Sequence, residues 1–288
     1  MDNLNITNFN QILNEYTELQ KIEKKKTMKT TSVITGFFFV VSAIFLLLGI
    51  NPYKNGLMIT FYILIGITGL LLITLVILHF AFHSNKPLFK YLYKKAVEEV
   101  NLSENTNISI GAILKDKEFI IDGALFPLGS GRLLRYKLNF TSRNGHNTTI
   151  YDTYIYTQVN KSTIVHIDGL YFILGIRPEF PFQLRSKGRP RSKNKKMVKA
   201  NSDKNVKEYV QEGQTQKIPE KYYALYKKLH TSKMPVFMSG MNTDVHVALH
   251  GYHKFRKIKI LTIEEFENLK KYLSSIVKIA NNMYETIE

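Results

Sequence analysis

Residues Ser32 to Ile50 read SVITGFFFVVSAIFLLLGI, and Leu57 to Phe82 read LMITFYILIGITGLLLITLVILHFAF. The first run carries no charge, and His79, near the end of the second, is the one group in either that ionises near neutral pH. A helix crosses the roughly 30 Å hydrocarbon core of a bilayer with about 20 residues. Both runs are therefore expected to be transmembrane helices, the second with length left for tilt. Between them, Asn51 to Gly56 (NPYKNG) reads as a tight turn, with Pro52 stopping one helix and Asn55-Gly56 allowing the reversal. Gly66 and Gly69 are expected to let the two helices approach closely.

The flanks orient this hairpin. Lys21, Lys24, Lys25, Lys26 and Lys29 precede it, Lys86, Lys90, Lys94 and Lys95 follow it, and the turn holds only Lys54. Basic residues stay inside. The expectation is a multi-pass protein of a bacterial cell membrane with both termini cytoplasmic. Residues 1–31 carry Asn8 and Gln11 in capping-box spacing and an apolar stripe of Phe9, Ile12, Leu13, Tyr16 and Leu19. They read as an amphipathic helix leading into a hairpin at 32–82.

Residues 83–288 are expected to form one α+β domain. Pro87 to Val100 reads as a helix. Strand patterns follow at Ile108 to Leu114 and Phe119 to Ile121, around Asp116-Lys117. Leu133 to Phe140 and Thr148 to Val159 flank Asn144-Gly145, a strong hairpin signal. Thr163 to Ile167 and Leu170 to Ile176 flank Asp168-Gly169, which reads as a second hairpin. After Arg185 to Lys199 come a strand at Val206 to Gln211, a helix from Pro219 to His230 and a hairpin of Val236 to Met238 with Val245 to Leu249. The last helix opens with the capping box Thr262 and Glu265. Its seam of Phe266, Leu269, Leu273, Ile276, Ala280, Met283 and Ile287 docks on the sheet or, in a homo-oligomer, on a second copy. The fold class is thus α+β: a transmembrane hairpin followed by an antiparallel-sheet domain with packed helices.

The chain has no cysteine, which rules out disulfides, thiolate metal sites and a cysteine nucleophile. Its formal net charge is +17, with 40 Lys and Arg against 23 Asp and Glu. The Lys-heavy bias is also what an AT-rich bacterial genome writes into any protein. The densest basic stretch is RSKGRPRSKNKKMVK at 185–199, without an acid. It reads as a mobile loop. Arg185, Lys187, Arg189, Arg191, Lys193, Lys195, Lys196 and Lys199 are its candidate anion- or lipid-contacting residues. Anionic headgroups near a tethered domain are the favoured partner, at about 1 kcal/mol per basic residue. Nucleic acid is the lesser alternative, and a solvated loop without a partner is the plain one.

No catalytic constellation emerges. His246, His250 and His253 (HVALHGYH) share a face on a helix, but Val245, Val247 and Leu249 alternate as in a strand, and no carboxylate supports a metal site. Gly129-Ser130-Gly131-Arg132 lacks the Lys-Ser/Thr of a phosphate loop and reads as a turn. Glu264 and Glu265 belong to the start of the last helix. No metal or cofactor is expected.

The run Phe89-Lys90-Tyr91-Leu92-Tyr93-Lys94-Lys95 after the second apolar stretch, followed late in the chain by the strand at Val206, the helix from Pro219 and the hairpin Val236 to Leu249, resembles the domain-of-unknown-function family 3137. The resemblance implies a membrane hairpin with an α+β cytoplasmic domain and no particular activity. The functional expectation is a membrane-anchored, non-enzymatic accessory or scaffold protein. Its basic domain binds a protein partner or the anionic inner membrane surface; a tethered nucleic-acid binder and an enzyme with an unreadable site are the alternatives.

Overall fold

The computed structural model describes residues 3–49, 55–82, 86–111, 122–126, 131–142, 144–160, 162–188, 197–202, 206–230, 235–251 and 262–288. They fall into two compact units, Met1–Tyr93 and Lys94–Glu288.

In the first unit, helices α1 (Asn3–Gly49) and α2 (Asn55–Phe82) pack against each other. A third helix, α3 (Lys86–Glu104), begins in this unit and runs into the next. The basic N-terminal segment and the first apolar run are one continuous helix. The capping-box spacing at Asn8 therefore lies inside a helix already under way at Asn3. Thr31 and Thr35 donate their hydroxyls to the carbonyls four residues back, at 3.0 and 2.8 Å. That satisfies each hydroxyl within its own helix. Tyr16 and Tyr91 bring their rings to 5.3 Å. Among the described residues, a Cβ at Gly66 or Gly69 would meet nothing within 4 Å. Among the described residues, neither glycine is a close-approach point.

The transmembrane expectation is corrected here. Among the described residues, no helix is long and apolar enough to cross a membrane. The hairpin of two spans is withdrawn on this finding. So is what followed from it: the multi-pass placement in a bacterial cell membrane, with both termini on the cytoplasmic side.

Among the described residues the second unit is α+β, as expected, around one sheet of nine strands. These are β1 (Asn107–Ile110), β2 (Gly131–Thr141), β3 (Asn147–Val159), β4 (Ser162–Leu174), β5 (Phe182–Arg185), β6 (Met197–Ser202), β7 (Lys207–Gln211), β8 (Val236–Met241) and β9 (Asp244–His250). Their order is β1-β2-β3-β4-β9-β8-β5-β7-β6, and every pairing is antiparallel. Helices α4 (Glu220–Leu229) and α5 (Ile263–Ile287) complete the unit.

Two readings of the sequence change. Asp168-Gly169 is no turn: β4 runs straight through it, Asp168 opposite Tyr154 and Gly169 opposite Thr153. The reversal falls after β3, where Asn160 takes the left-handed conformation at φ 52°. The stretch 185–199 is not wholly loop. Arg185 closes β5, and Met197 to Lys199 belong to β6, paired with β7. Gly145, by contrast, makes the expected β2–β3 turn at φ 84°. The expected strands between 112 and 121 lie outside the described residues.

Residues opposite one another across the strands share a face. Thr148, Leu174, Val245, Gly240, Phe182 and Val210 form one row, and Ile150, Phe172, Val247, Met238 and Leu184 form the next. The helices cover this face. Tyr284 of α5 hydrogen-bonds Thr148 at 2.7 Å, and Tyr222 of α4 sets its ring 4.5 Å from that of Phe182. The capping box of Thr262 and Glu265 starts α5, and its apolar seam is buried within the chain. Lys270 of α5 reaches Glu99 of α3 at 2.7 Å, which joins the two helices side by side.

Candidate functional site

The opposite face of the sheet carries Tyr151, Tyr171, Ala248, Phe237 and Arg185 in one row, and Ile173, His246, Ser239 and Gln183 in the next. A short segment, residues 122–126, lies across it. Ser239 Oγ donates to the Gly123 carbonyl at 2.5 Å, Gln183 Nε2 to Ala124 at 3.2 Å and Arg185 Nη1 to Leu125 at 3.0 Å. Three successive carbonyls are thus held by three side chains instead of by a strand. Leu125 and Phe126 then fill the apolar surface beside them, against Tyr151, Ile155, Ile167 and Phe237. Gly123 sits directly over Tyr171 and His246, where a Cβ would stand 2.9 Å from the imidazole. His246 Nδ1 and Tyr171 Oη are 3.1 Å apart. Burial holds the His246 pKa down at about 4, so the ring is neutral at pH 7.

This arrangement assigns Arg185. It is buried, it holds the strap, and its guanidinium stacks over Phe237 at 5.2 Å. Its charge is spent inside the fold. Of the other basic candidates, Lys187 and Lys199 are exposed. Arg189, Arg191, Lys193, Lys195 and Lys196 lie outside the described residues. His250 accepts a hydrogen bond from the Asp168 backbone N–H at 3.2 Å, while His253 lies outside the described residues. Among the described residues, no group of three or more His, Asp and Glu is placed to hold a metal ion.

A second buried cluster was invisible in the sequence. The β2–β3 register slips between Leu134 and Tyr136, so Arg135 is the extra residue of a β-bulge. Bulges re-aim side chains. Here Arg135 reaches along the sheet and pairs with Asp152 of β3 and, at 2.5 Å, with Asp168 of β4. The three side chains are only 11%, 4% and 12% exposed. One guanidinium locks three strands, and both carboxylates are drawn off the surface. The cluster ties strands together inside the sheet. A shallow groove elsewhere, over Asn107, Ser109, Asn139, Phe140, Asn147 and Thr149, is lined by uncharged residues.

The first unit offers a different kind of surface. On α1, Lys21, Lys25, Lys26 and Lys29 are exposed and Lys24 is half-buried. The same helix then presents Val33, Ile34, Phe37, Phe39 and Val40 to the exterior, Phe39 at 65% exposure. On α2, Tyr62, Ile63, Ile65, Leu70, Leu72, Ile73, Val76 and Ile77 are exposed as well, Leu70 at 66%. Single exposed apolar residues are ordinary, but contiguous ones mark a surface that meets something. A cationic stretch therefore passes within one helix into an apolar one.

No family model, no curated protein and no solved structure matches this chain.

Proposed function

We propose that the chain is a non-enzymatic binding protein that works at an anionic lipid surface. The observation that supports this most is the passage, along α1, from exposed lysines to exposed Val33, Ile34, Phe37, Phe39 and Val40, with a second exposed apolar series on the packed helix α2. Each half of that surface favours the same partner. Lysines near an anionic leaflet gain about 1 kcal/mol each and lose it in salt. Apolar side chains that leave water gain about 1.5–3 kcal/mol each when fully buried. Phosphate groups alone reward the first term only; a lipid interface rewards both. The net charge of +17 adds long-range attraction toward any anionic surface.

Flotation tests the reading. The full chain is mixed with vesicles of phosphatidylcholine containing phosphatidylglycerol, and with vesicles of phosphatidylcholine alone. The chain is expected to float with the anionic vesicles. Changing Lys21, Lys24, Lys25, Lys26 and Lys29 to Gln should weaken that binding at least tenfold, and 0.5 M salt should mimic the change. A chain that stays at the bottom of the gradient with both vesicle types would refute the proposal.

A further inference from the structure

We infer that the tip of the β3–β4 hairpin is a second lipid contact, at headgroup depth on an anionic surface; this rests on the function proposed above. The residues at issue are Tyr154, Tyr156, Val159, Ile164 and Val165, with Leu133 at the neighbouring start of β2.

Among the described residues, the β2 pairing ends at Tyr156 and the β9 pairing at Gly169; beyond them Thr157 stands opposite Ile164 and Val159 opposite Ser162. Val159 and Ile164 in this part, and Tyr154, Tyr156 and Val165 at its base, put apolar groups on both faces among Thr157, Gln158, Ser162 and Thr163. Val159 and Ile164 point to one side. Tyr154, Tyr156 and Val165 point to the other, beside Leu133. Leu133, Val159, Ile164 and Val165 are all exposed, Ile164 at 51%. Tyr154 and Tyr156 set their rings 5.3 Å apart. A flat protein partner would cover one face and leave the other wet. A medium that surrounds the tip buries both.

Charge selects the medium. From Thr153 to Ile167 the sequence TYIYTQVNKSTIVHI contains no acid, and it contains Lys161 and His166. The acids on either side, Asp152 and Asp168, are both taken up by Arg135. An aromatic and aliphatic tip with a cation and no carboxylate is complementary to anionic headgroups, the level at which tyrosine rings collect. The backbone limits the depth. Two strands that ladder only to each other expose backbone groups on their outer edges, and these need water or headgroup oxygens. The tip therefore rests among headgroups and does not enter hydrocarbon.

The absence of cysteine makes the test clean. Ser162→Cys places one polarity-sensitive fluorophore at the tip, and Thr215→Cys places it at an exposed control position in the full chain. With phosphatidylglycerol-containing vesicles, the label at 162 should shift to the blue and be quenched by shallow brominated lipid, while the label at 215 should do neither. The double variant Ile164→Ser, Val165→Ser should weaken vesicle binding at least tenfold, with an unchanged circular dichroism spectrum. If the chain floats but the label at 162 does not respond, the tip is not a lipid contact and the function proposed above stands. If the chain does not float at all, both fall. A blue shift that grows with protein concentration without vesicles would show that a second copy covers the tip, and would overturn the inference.

Discussion

Changing Arg135 to Met keeps most of the side chain's length and apolar bulk and removes its charge. Asp152 and Asp168 would then sit on adjacent strands, 4% and 12% exposed, with no guanidinium between them. At that depth solvent screens little. Breaking a buried ion pair by deleting one partner costs about 3–5 kcal/mol, because the remaining charge stays desolvated. Here two carboxylates remain and repel each other, so the upper part of that range applies. For a unit of this size, 1 kcal/mol moves the melting temperature by roughly 2–4 °C, which makes a drop of at least 10 °C the expected result. The chain has no tryptophan, so the sheet is followed by circular dichroism. Adding Asp152→Asn and Asp168→Asn should recover most of the loss at pH 7. A deficit below about 1 kcal/mol would refute the claim that this cluster locks β2, β3 and β4.

Two further perturbations probe the strap. His246 titrates near 4 in the fold against about 6.5 when unfolded. Between those values the unfolded chain takes up a proton that the folded chain refuses. Stability is complete above pH 6.5 and is lost as pH falls toward 4, by on the order of 3 kcal/mol; His246→Gln should flatten that part of a urea-denaturation pH profile. Gly123→Ala drives a methyl group against Tyr171 Oη and the His246 ring. The expected cost is about 1–3 kcal/mol in thermal unfolding, and an unchanged melting temperature would mean that the strap lies less closely than described.

The sheet was legible wherever the signal was local. Asn144-Gly145 announces its turn, alternation marks β9, and Thr262 with Glu265 starts α5, because each is settled by residues adjacent in sequence. Asp168-Gly169 carries the same local signal and misleads. The Asp168 carboxylate is claimed by Arg135, 33 residues away, and its backbone is claimed by the ladder to Tyr154. Arg185 misleads for a related reason. Its charge and its basic neighbours read as loop, but Phe182 to Arg185 pairs on both sides with strands far along the chain. Gln183 and Arg185, two apart and therefore on one face, were the available hint of a buried polar row. The strap left no hint, since side-chain contacts to its carbonyls obey no periodicity. The apolar runs gave the strongest pattern of all, and the helices do run through them. The crossing inferred from their length is what the described residues do not support.

The strand order has a consequence for how this chain is made. Strands β1 to β4 are neighbours in sequence and in space, so a meander can assemble as soon as Leu174 has left the ribosome. The next position beside β4 is reserved for β9, and residues 244–250 are synthesised some seventy residues later. At synthesis rates of about 5–20 residues per second, the inner edge of β4, with Tyr171, Phe172 and Leu174, waits several seconds for its partner. A nascent chain is most vulnerable to intermolecular strand pairing in that interval. Slow translation between Gly175 and Asp244 would lengthen the exposure, and a chaperone holding β4 would shorten its effect.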